Sequence, residues 1–275
     1  MGERGGATPR LPRPAPRARA LGDLRHVRRV ALEPRELGGL PLYGLAEADA
    51  LGVDLVVSAR PGGVSGAPYG SLNLATHVGD DPAAVAENRR RLVAALGAPI
   101  VLVRQVHGAR VADAAAATET TEADALLDEG CERALGVLVA DCVPLALLDP
   151  GRAVAVVHAG WRGLAAGAVP AALARFADPA RVVAVLGPSI SGPAYQVGEE
   201  VAGRFGEHAS ALAPDGPGHW RLDLRAVAAE QLERLGVASD HVLVTAEVTD
   251  GGGTFFSDRA ERPTGRFALV VRRRP

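Results

Sequence analysis

Lysine is absent from this sequence of 275 residues, so all 30 of its basic residues are arginine. Cysteine is nearly absent too, with Cys131 and Cys142 as the two thiols. Two cysteines cannot form the dense disulfide framework of a small secreted protein, and a reducing cytoplasm is therefore the expected location. They also leave a thiol available for chemistry.

Long apolar runs are missing as well. Although 48% of the residues are hydrophobic, no run approaches the roughly 20 residues that a membrane-spanning helix requires. The N-terminal region lacks the apolar stretch, about 7 to 15 residues long, of a secretory signal. The formal net charge is only −2, which gives no reason to expect a nucleic acid or a membrane as a partner.

The first 37 residues differ from the rest of the chain. They are rich in arginine and have prolines at positions 9, 12, 14 and 16, and they lack the apolar periodicity that builds a core. We expect residues 1–37 to form a disordered extension, with an arm that binds nucleic acid as the alternative interpretation. Residues 38–275 are expected to form a single catalytic domain.

Strands and helices alternate along that domain. Asp81 and Pro82 are typical of a helix start and Gly97 of a helix end, which predicts a helix over residues 82–96. Further helices are predicted over residues 165–176, 198–205 and 224–235. Valine-rich strands are predicted over residues 55–58, 100–106, 136–140, 144–148, 153–158, 182–186, 242–246 and 267–272. Because at least one connection is too short for a crossover helix, the expected fold is α/β, a layered single domain with a mixed β-sheet flanked by helices.

Three segments combine a metal-binding side chain with unusual surroundings. They are Arg104-Gln-Val-His-Gly108, Ala140-Asp-Cys-Val-Pro144 and His158-Ala-Gly-Trp-Arg-Gly163. Each is expected at the end of a strand, where a rigid sheet presents reactive groups.

A predicted hairpin links the second segment to the third. Asp149-Pro-Gly-Arg152 is a turn signature between two strands. With a three-residue loop, Asp149 pairs with Ala153, and Cys142 and His158 become diagonal neighbours on one face, roughly 7–8 Å apart at the backbone. A two-residue loop would place them on opposite faces, and the sequence leaves the loop length open.

Two imidazoles and a thiolate suit zinc, and three protein ligands leave a fourth position open for water or substrate. His107 and Cys142 are 35 residues apart, and Cys142 and His158 are 16 apart, unlike the tightly paired ligands of a zinc finger. The spacing alone also allows a Cys–His nucleophilic pair, or no special role for these residues.

Seven segments together resemble one family, the purine nucleoside phosphorylases formerly called multicopper polyphenol oxidoreductases or laccases. The resemblance runs from about residue 53 to residue 271. Besides the three segments above, it rests on Arg60-Pro-Gly-Gly-Val-Ser65, Tyr69-Gly-Ser-Leu-Asn-Leu74, His77-Val-Gly-Asp80 and Ala123-Asp-Ala125. It implies that His107, Cys142 and His158 hold a catalytic zinc.

The resemblance also implies an activity, namely phosphorolysis of adenosine, inosine and methylthioadenosine together with deamination of adenosine. Purine nucleosides and phosphate are then the expected partners. Arg60 and Arg162, beside glycine-rich backbone, are the candidate phosphate ligands, and Asn73 and His77 are candidate substrate ligands. Asp141, Asp124 and Gln105 are expected to join Cys142 in the catalytic group, as orienting or proton-transfer residues.

Two departures from the family pattern affect the expected substrate preference. Val248 and Thr249 stand where relatives often have a Cys-Thr pair, and Gln196 stands where glutamate is common. Trp161 and Tyr195 are candidates for stacking on a purine, although packing in the core is the commoner use of such residues.

Three other functions are alternatives to a zinc-dependent phosphorylase. A copper laccase needs many histidine ligands, typically in His-x-His pairs, and this sequence has seven histidines and no such pair. A metal-independent hydrolase that uses Cys142 and His158 as a nucleophilic pair is a stronger alternative. The third is a non-enzymatic, zinc-stabilised protein of cell division or the envelope.

Overall fold

Sixteen strands form three β-sheets in the computed structural model, which describes residues 21–22, 24–130, 133–251 and 253–274. In chain order the strands are β1 (Arg28–Val30), β2 (Glu33–Leu37), β3 (Leu40–Gly44), β4 (Val53–Ser58), β5 (Ile100–Val101), β6 (Val111–Asp113), β7 (Ala125–Asp128), β8 (Ala134–Val139), β9 (Val143–Asp149), β10 (Ala153–Ala159), β11 (Val183–Leu186), β12 (Gln196–Gly198), β13 (Leu212–Pro214), β14 (His219–Leu222), β15 (Val242–Thr245) and β16 (Phe267–Arg273).

Six α-helices flank these sheets in the described part of the chain. They are α1 (Ala46–Ala50), α2 (Pro82–Leu96), α3 (Trp161–Ala166), α4 (Ala168–Leu173), α5 (Glu199–Ala202) and α6 (Leu224–Arg234), with short 3₁₀ segments at Pro179–Arg181, Gly192–Ala194, Gly203–Ala211 and Ser239–His241. No helix among the described residues is long and apolar enough to cross a membrane.

The strand directions are mixed, as the sequence predicts. The larger sheet has seven strands in the order β1-β15-β11-β9-β10-β7-β6, and the second has six in the order β2-β3-β4-β16-β8-β5. Pairs β1·β15, β11·β15, β6·β7 and β5·β8 are parallel and the other pairs of these two sheets are antiparallel. A three-stranded sheet, β12-β14-β13, covers one end.

The two large sheets stack face to face, and helices cover their outer faces. Leu135 and Leu269 of the six-stranded sheet share an apolar cluster with Ala146 and Val156 of the seven-stranded sheet. A second cluster joins the other face of the seven-stranded sheet to α4 and α6, and a third joins the six-stranded sheet to α2. The predicted layered α/β domain with mixed sheets is therefore confirmed.

The predicted hairpin has the register of the three-residue loop. Asp149 pairs with Ala153, and His158 pairs with Pro144. Cys142 and His158 therefore emerge at the same end of the β9–β10 hairpin. This register places the second and third segments beside each other, as the diagonal-neighbour argument requires.

Helix α2 follows its sequence signals closely. The Asp81 side chain accepts a hydrogen bond from the Ala83 N–H, Pro82 occupies the first turn, and Gly97 ends the helix in the left-handed conformation with φ of 63°. These are the usual ways to satisfy the free backbone groups at helix ends.

Three predicted elements differ from the structure. The strand expected over residues 100–106 ends at Val101. Beyond it, Arg104 makes a single bridge to Glu122, and the Asp124 carboxylate accepts the N–H groups of Val106 and His107. The helix expected over residues 165–176 is divided at Gly167, whose φ is 87°. The helix expected over residues 198–205 is α5 followed by a 3₁₀ segment.

The predicted N-terminal boundary at residue 37 is too late. Strand β1 pairs in parallel with β15, and β2 pairs with β3 along its whole length. Leu24, Val27, Val30 and Leu32 are each buried. In the sequence, these four apolar positions form too short a pattern to be distinguished from a polar tail. In the folded protein, strand pairing with other parts of the chain buries them. Residues 1–20 and 23 lie outside the described residues.

Candidate metal centre and the cavity above it

Three different parts of the fold supply the candidate metal ligands. His107 lies in the loop between β5 and β6. Cys142 lies where the chain passes from β8 in one large sheet to β9 in the other, and His158 is the penultimate residue of β10. The ligands therefore meet where the chain crosses between the two sheets, and of the three His158 stands on a paired strand.

The donor atoms of His107, Cys142 and His158 all lie within 4.8 Å of one another. The imidazole rings meet edge to face, with centroids 4.6 Å apart and planes at 74°. Ligand distances of about 2.0–2.3 Å in a tetrahedral zinc site imply donor separations of roughly 3–4 Å. Small side-chain adjustments would satisfy that geometry, so the cluster can hold one metal ion. It is the one such His/Cys/carboxylate group found within the described ranges.

Asp124 holds two of the three ligands in place. It is fully buried, and its carboxylate accepts hydrogen bonds from the backbone N–H groups of Val106, His107 and Gly108 at 3.2, 2.8 and 2.6 Å. It also lies 2.9 Å from Nδ1 of His158. A carboxylate behind a ligating histidine fixes the ring and its tautomer, which leaves Nε2 of His158 for the metal.

The charges of these groups depend on one another. Burial alone would raise the pKa of Asp124, but hydrogen bonds from His158 and Gly108 hold it below its usual range. Burial would also raise the pKa of Cys142, yet the charge of His158 and a hydrogen bond from His107 lower it to about 6. Burial would lower the pKa of His158, but the Cys142 thiolate and Asp124 raise it to about 9. The metal-free site thus holds a thiolate beside an imidazolium.

Backbone conformation at the centre is unusual. His107 and Asp141 have φ values of 60° and 84°, and they are the two non-glycine residues with positive φ among those described. Such conformations cost about 1–3 kcal/mol each and persist where the surroundings enforce them. Gly160 lies against the same cluster, since a Cβ there would be 2.7 Å from Sγ of Cys142 and 3.3 Å from Cδ2 of His107.

Asp141 connects the metal centre to a distant segment. Its carboxylate accepts hydrogen bonds from Oγ1 of Thr249 at 2.5 Å, from Oγ of Ser257 at 2.8 Å and from the backbone N–H of Arg259 at 2.6 Å. Three protein donors therefore occupy it. Asp141 therefore anchors Thr249, Ser257 and Arg259, and of the two roles considered from the sequence, orienting or proton transfer, this geometry favours orienting.

A cavity of about 390 Å³ opens above the three ligands. His158 is its buried floor, whereas His107 is exposed to solvent. The other side chains of interest along its wall are His77, Gln105, Trp161, Arg162, Tyr195, Asp258, Arg259, Arg262 and Arg266. Four arginines line the cavity, and besides Asp141 the wall has one carboxylate, that of Asp258. This excess of positive charge makes the cavity suitable for an anion.

Two of these arginines have no carboxylate partner in the described part of the chain. The guanidinium of Arg162 lies over the Trp161 ring at 4.4 Å from the centroid. That of Arg259 lies over Tyr195 at 5.0 Å and donates to the carbonyl of Gln196. Both therefore keep donors free for a ligand. Burial, followed by the charge of Cys142, raises the pKa of Tyr195 to about 12, so its hydroxyl stays protonated.

Two predicted site residues lie elsewhere. Arg60 donates to the Gly70 carbonyl and pairs with both carboxylate oxygens of Glu261. Asn73 is buried, and its amide bonds Asp80 and the backbone of Ala75 and Arg266. Both were expected to bind substrate or phosphate, but neither is among the residues that line the cavity, and their side chains bond loops beside it.

His77, Gln105 and Arg162 do line the cavity, as predicted. The amide of Gln105 is engaged on both sides, donating to the Leu138 carbonyl and accepting from the Leu138 N–H, each at 2.8 Å. Gln105 thus extends the edge of β8 and fixes the start of the loop that carries His107.

The sequence interpretation missed Asp258, Arg259, Arg262 and Arg266. They lie in one loop before β16, and the signal available was the run of three arginines spaced three and four residues apart between Ser257 and Phe267. That pattern also fits a solvated loop. Long-range contacts to Asp141, Asn73 and Arg60 hold this loop over the cavity.

Comparisons with known proteins show one family. Residues 54–274 match the family described as multi-copper polyphenol oxidoreductase laccase. A purine nucleoside phosphorylase of Mycobacterium tuberculosis is 41% identical over 230 residues, which cover 78% of this chain and 90% of the relative. A purine nucleoside phosphorylase of Streptomyces coelicolor is 44% identical over 226 residues, covering 77% of this chain and 92% of the relative.

Solved structures show the same fold. A Neisseria meningitidis protein of the family called DUF152 superposes with a TM-score of 0.78 at 39% identity, covering 82% of this chain and 95% of that protein. YlmD from Geobacillus stearothermophilus superposes with a TM-score of 0.75 at 30% identity, covering 85% of this chain and 96% of YlmD.

Proposed function

The chain belongs to the family described as multi-copper polyphenol oxidoreductase laccase, and from this premise we propose that it is a zinc-dependent purine nucleoside phosphorylase. The proposed substrates are adenosine, inosine and methylthioadenosine, and adenosine is also deaminated. The observation that carries the proposal is the His107, Cys142 and His158 cluster at the floor of an arginine-lined cavity. The names of the Mycobacterium and Streptomyces relatives support it.

Zinc is the metal that we propose for this cluster. Two imidazoles and one thiolate suit zinc, and an open fourth position is typical of its catalytic sites. The same donor set occurs in mononuclear copper electron-transfer sites, which usually add a distant methionine ligand. The chain has one methionine, Met1, and one described ligand cluster, which favours zinc over a set of copper centres.

A zinc ion held here would act as a Lewis acid and could lower the pKa of a bound water towards about 7. The protein's own groups prepare that site. Asp124 keeps Nδ1 of His158 engaged so that Nε2 faces Cys142 and His107, and Cys142 is available as a thiolate at neutral pH because its pKa is lowered to about 6. A reducing cytoplasm, the proposed location, would keep that thiol from oxidation.

Phosphorolysis needs an anion beside the ribose. In this reaction the bond between C1′ and the base breaks while C1′ bonds a phosphate oxygen. Arg162 and Arg259 are the proposed phosphate ligands, because both line the cavity and keep free guanidinium donors. A guanidinium fork matches phosphate oxygens and stabilises their charge. Arg162 therefore retains its predicted role and Arg259 replaces Arg60.

The purine has candidate contacts on the same wall. Tyr195 and Trp161 line the cavity, and each is already stacked against an arginine. Aromatic faces bind flat bases well, and the protonated Tyr195 hydroxyl can donate a hydrogen bond. A volume of about 390 Å³ lies within the usual range for small-molecule sites.

One observation favours the rival hydrolase. Cys142 lies beside His158, and the Asp124 carboxylate orients the His158 ring, as in a nucleophilic thiolate–imidazolium pair. The lowered pKa of Cys142 would make its thiolate nucleophilic without a metal. The rival gives no role to His107. It therefore predicts that His107 is dispensable and that metal removal is harmless.

The test combines metal analysis with product identification. Purified protein is analysed for zinc and copper, stripped with a chelator, and assayed with adenosine in the presence and absence of phosphate before and after zinc is restored. Wild type is compared with His107→Ala and Cys142→Ala. We expect zinc at about one ion per chain, adenine with phosphate, inosine without it, and recovery by zinc in wild type alone. Full activity of the verified metal-free protein would refute the zinc mechanism.

A further inference from the structure

A second, more open cavity of about 560 Å³ adjoins the metal cavity. It shares His77, Asp258, Arg262 and Arg266 with the first cavity, and Val78, Pro263 and Thr264 complete it. Because four residues line both spaces, the two cavities are adjacent and share a wall, and we call the two together the groove. We call this second space the outer cavity.

The outer cavity carries an excess of positive charge. Asp258 is its one carboxylate among the lining residues, and it contacts both guanidinium groups, Arg262 at Oδ2 and Arg266 at Oδ1. This shared partner holds the two arginines side by side and neutralises only one of them. Each guanidinium therefore keeps N–H groups for a further acceptor, and an anion is the ligand that such a pair favours.

The positive charge in this region also lowers the pKa of His77. His77 is exposed to solvent and lines both cavities, and after partial desolvation the largest causes that lower its pKa are the charges of Arg266 and Arg89. A neutral imidazole in this position donates a hydrogen bond to an anion without adding to the repulsion among the arginines.

The proposed reaction does not use this outer space. The metal cavity is large enough for a nucleoside, and Arg162 and Arg259 are there for inorganic phosphate. A ligand that occupies the whole groove would need a second anionic group on the side of the nucleoside away from the metal. Phosphate esters of the ribose have this form.

We propose that the outer cavity binds a phosphoryl group attached to the substrate, so that the protein binds purine nucleoside 5′-phosphates more tightly than the free nucleosides. The inference rests on the proposed function for the position of the base and ribose. The phosphoryl group contacts Arg262, Arg266 and His77, and the base lies beside the metal ligands.

Binding is measured by isothermal titration calorimetry on zinc-loaded protein with inosine, with inosine 5′-monophosphate and, in a separate titration, with inorganic phosphate. Inosine has no amino group to lose and its phosphorolysis needs phosphate, so the nucleoside titrations do not depend on turnover. We expect the monophosphate to bind about tenfold more tightly than inosine, as one added charge-assisted contact implies. Arg262→Gln is the main variant, because that side chain is 77% exposed and its loss should not disturb the fold. His77→Gln is the second.

Both variants should bring the two dissociation constants to within about twofold of each other. The exposed Arg152, which lines neither cavity, provides the control Arg152→Gln, in which the tenfold ratio persists. Equal affinity of wild type for the two ligands would overturn the proposal. So would a loss of inorganic phosphate binding in Arg262→Gln that matches the loss of monophosphate binding, because the outer cavity would then hold the free co-substrate. Failure of the proposed function would show as absence of turnover with this binding difference intact.

Discussion

Asp124 holds His158 at two points, through its side chain and through its backbone. Oδ1 of Asp124 lies 2.9 Å from Nδ1 of His158, and the Asp124 carbonyl accepts the His158 N–H at 2.7 Å. The same carboxylate binds the backbone of His107. One residue thus fixes the relative position of two candidate ligands that are 51 residues apart in the chain.

Asp124→Asn is expected to weaken metal binding. The amide NH₂ that replaces one carboxylate oxygen would face N–H donors from the loop or from His158, so at least one hydrogen bond is lost. Loss of such an orienting group typically costs 10–100-fold in metal affinity. Competition with a chromophoric chelator measures the effect, and Asp113→Asn, at an exposed carboxylate paired with Arg175, is the matched control. An unchanged zinc affinity in Asp124→Asn would contradict the assigned role.

Gly160→Ala is expected to lose metal while the protein stays folded. The new methyl group would lie 2.7 Å from Sγ of Cys142, closer than van der Waals contact allows, and the thiolate would be pushed from the cluster. We expect zinc content to fall at least about tenfold, with the far-ultraviolet circular dichroism unchanged. Gly206→Ala, where a Cβ meets nothing within 4 Å, should keep its zinc. Full occupancy in Gly160→Ala would show that the cluster tolerates displacement.

Metal affinity should rise with pH in two stages. Between about pH 6 and pH 9 the metal-free protein holds Cys142 as a thiolate and His158 as an imidazolium. Binding there displaces one proton from His158, so log K increases by about one per pH unit. Below about pH 6 the Cys142 proton must leave as well, and the slope becomes at least about two. Above about pH 9 His158 is already neutral in the metal-free protein, so it no longer makes log K depend on pH. A flat profile from pH 6 to 9 would show that the thiolate–imidazolium pair does not form.

Arg162→Lys and Arg60→Lys should have different effects. Lysine keeps the charge but loses the fork. At Arg162 the KM for phosphate is expected to rise about tenfold with no change in melting temperature, because the side chain is exposed and lines the cavity. At Arg60 the contacts to Glu261 and Gly70 are lost, so the melting temperature should fall by about 2–4 °C while the KM for phosphate stays constant. Steady-state kinetics and thermal melts distinguish the two results, and the reverse pattern would restore Arg60 as the phosphate ligand.

Deletion of residues 1–37 is expected to destabilise the protein. It removes strands β1 and β2 and the buried side chains of Leu24, Val27, Val30 and Leu32, each of which contributes about 1.5–3 kcal/mol by burial. The melting temperature should fall by more than about 5 °C. Deletion of residues 1–20 alone, the arginine- and proline-rich part, is predicted to leave it unchanged. Equal melting temperatures for the two truncated proteins would mean that β1 and β2 add nothing to stability.

Local sequence signals were sufficient for elements whose ends are marked by their own residues. Helix α2 begins and ends at Asp81 and Gly97 because a capping carboxylate and a left-handed glycine act within a few residues. The β9–β10 register follows from the turn at residues 149–152 for the same reason. Strands β1 and β2, whose ends carry no such signals, were missed. The break at Gly167 was missed although a left-handed glycine marks it, because a glycine inside a helical pattern also fits an unbroken helix.

The sequence by itself determined which residues gather at the metal centre. His107, Cys142 and His158 stand in segments whose order and spacing resemble one family, and the loop after β5, the passage from β8 to β9 and the end of β10 bring them together. Tertiary structure alone decided the roles of the polar residues around them. Arg60, Asp141 and Gln105 are occupied by partners far away in the chain, whereas the loop at residues 258–266 reaches the cavity through its anchor on Asp141. A polar side chain can serve a ligand only if its hydrogen-bonding groups remain free after folding, and that depends on long-range contacts that no local pattern encodes.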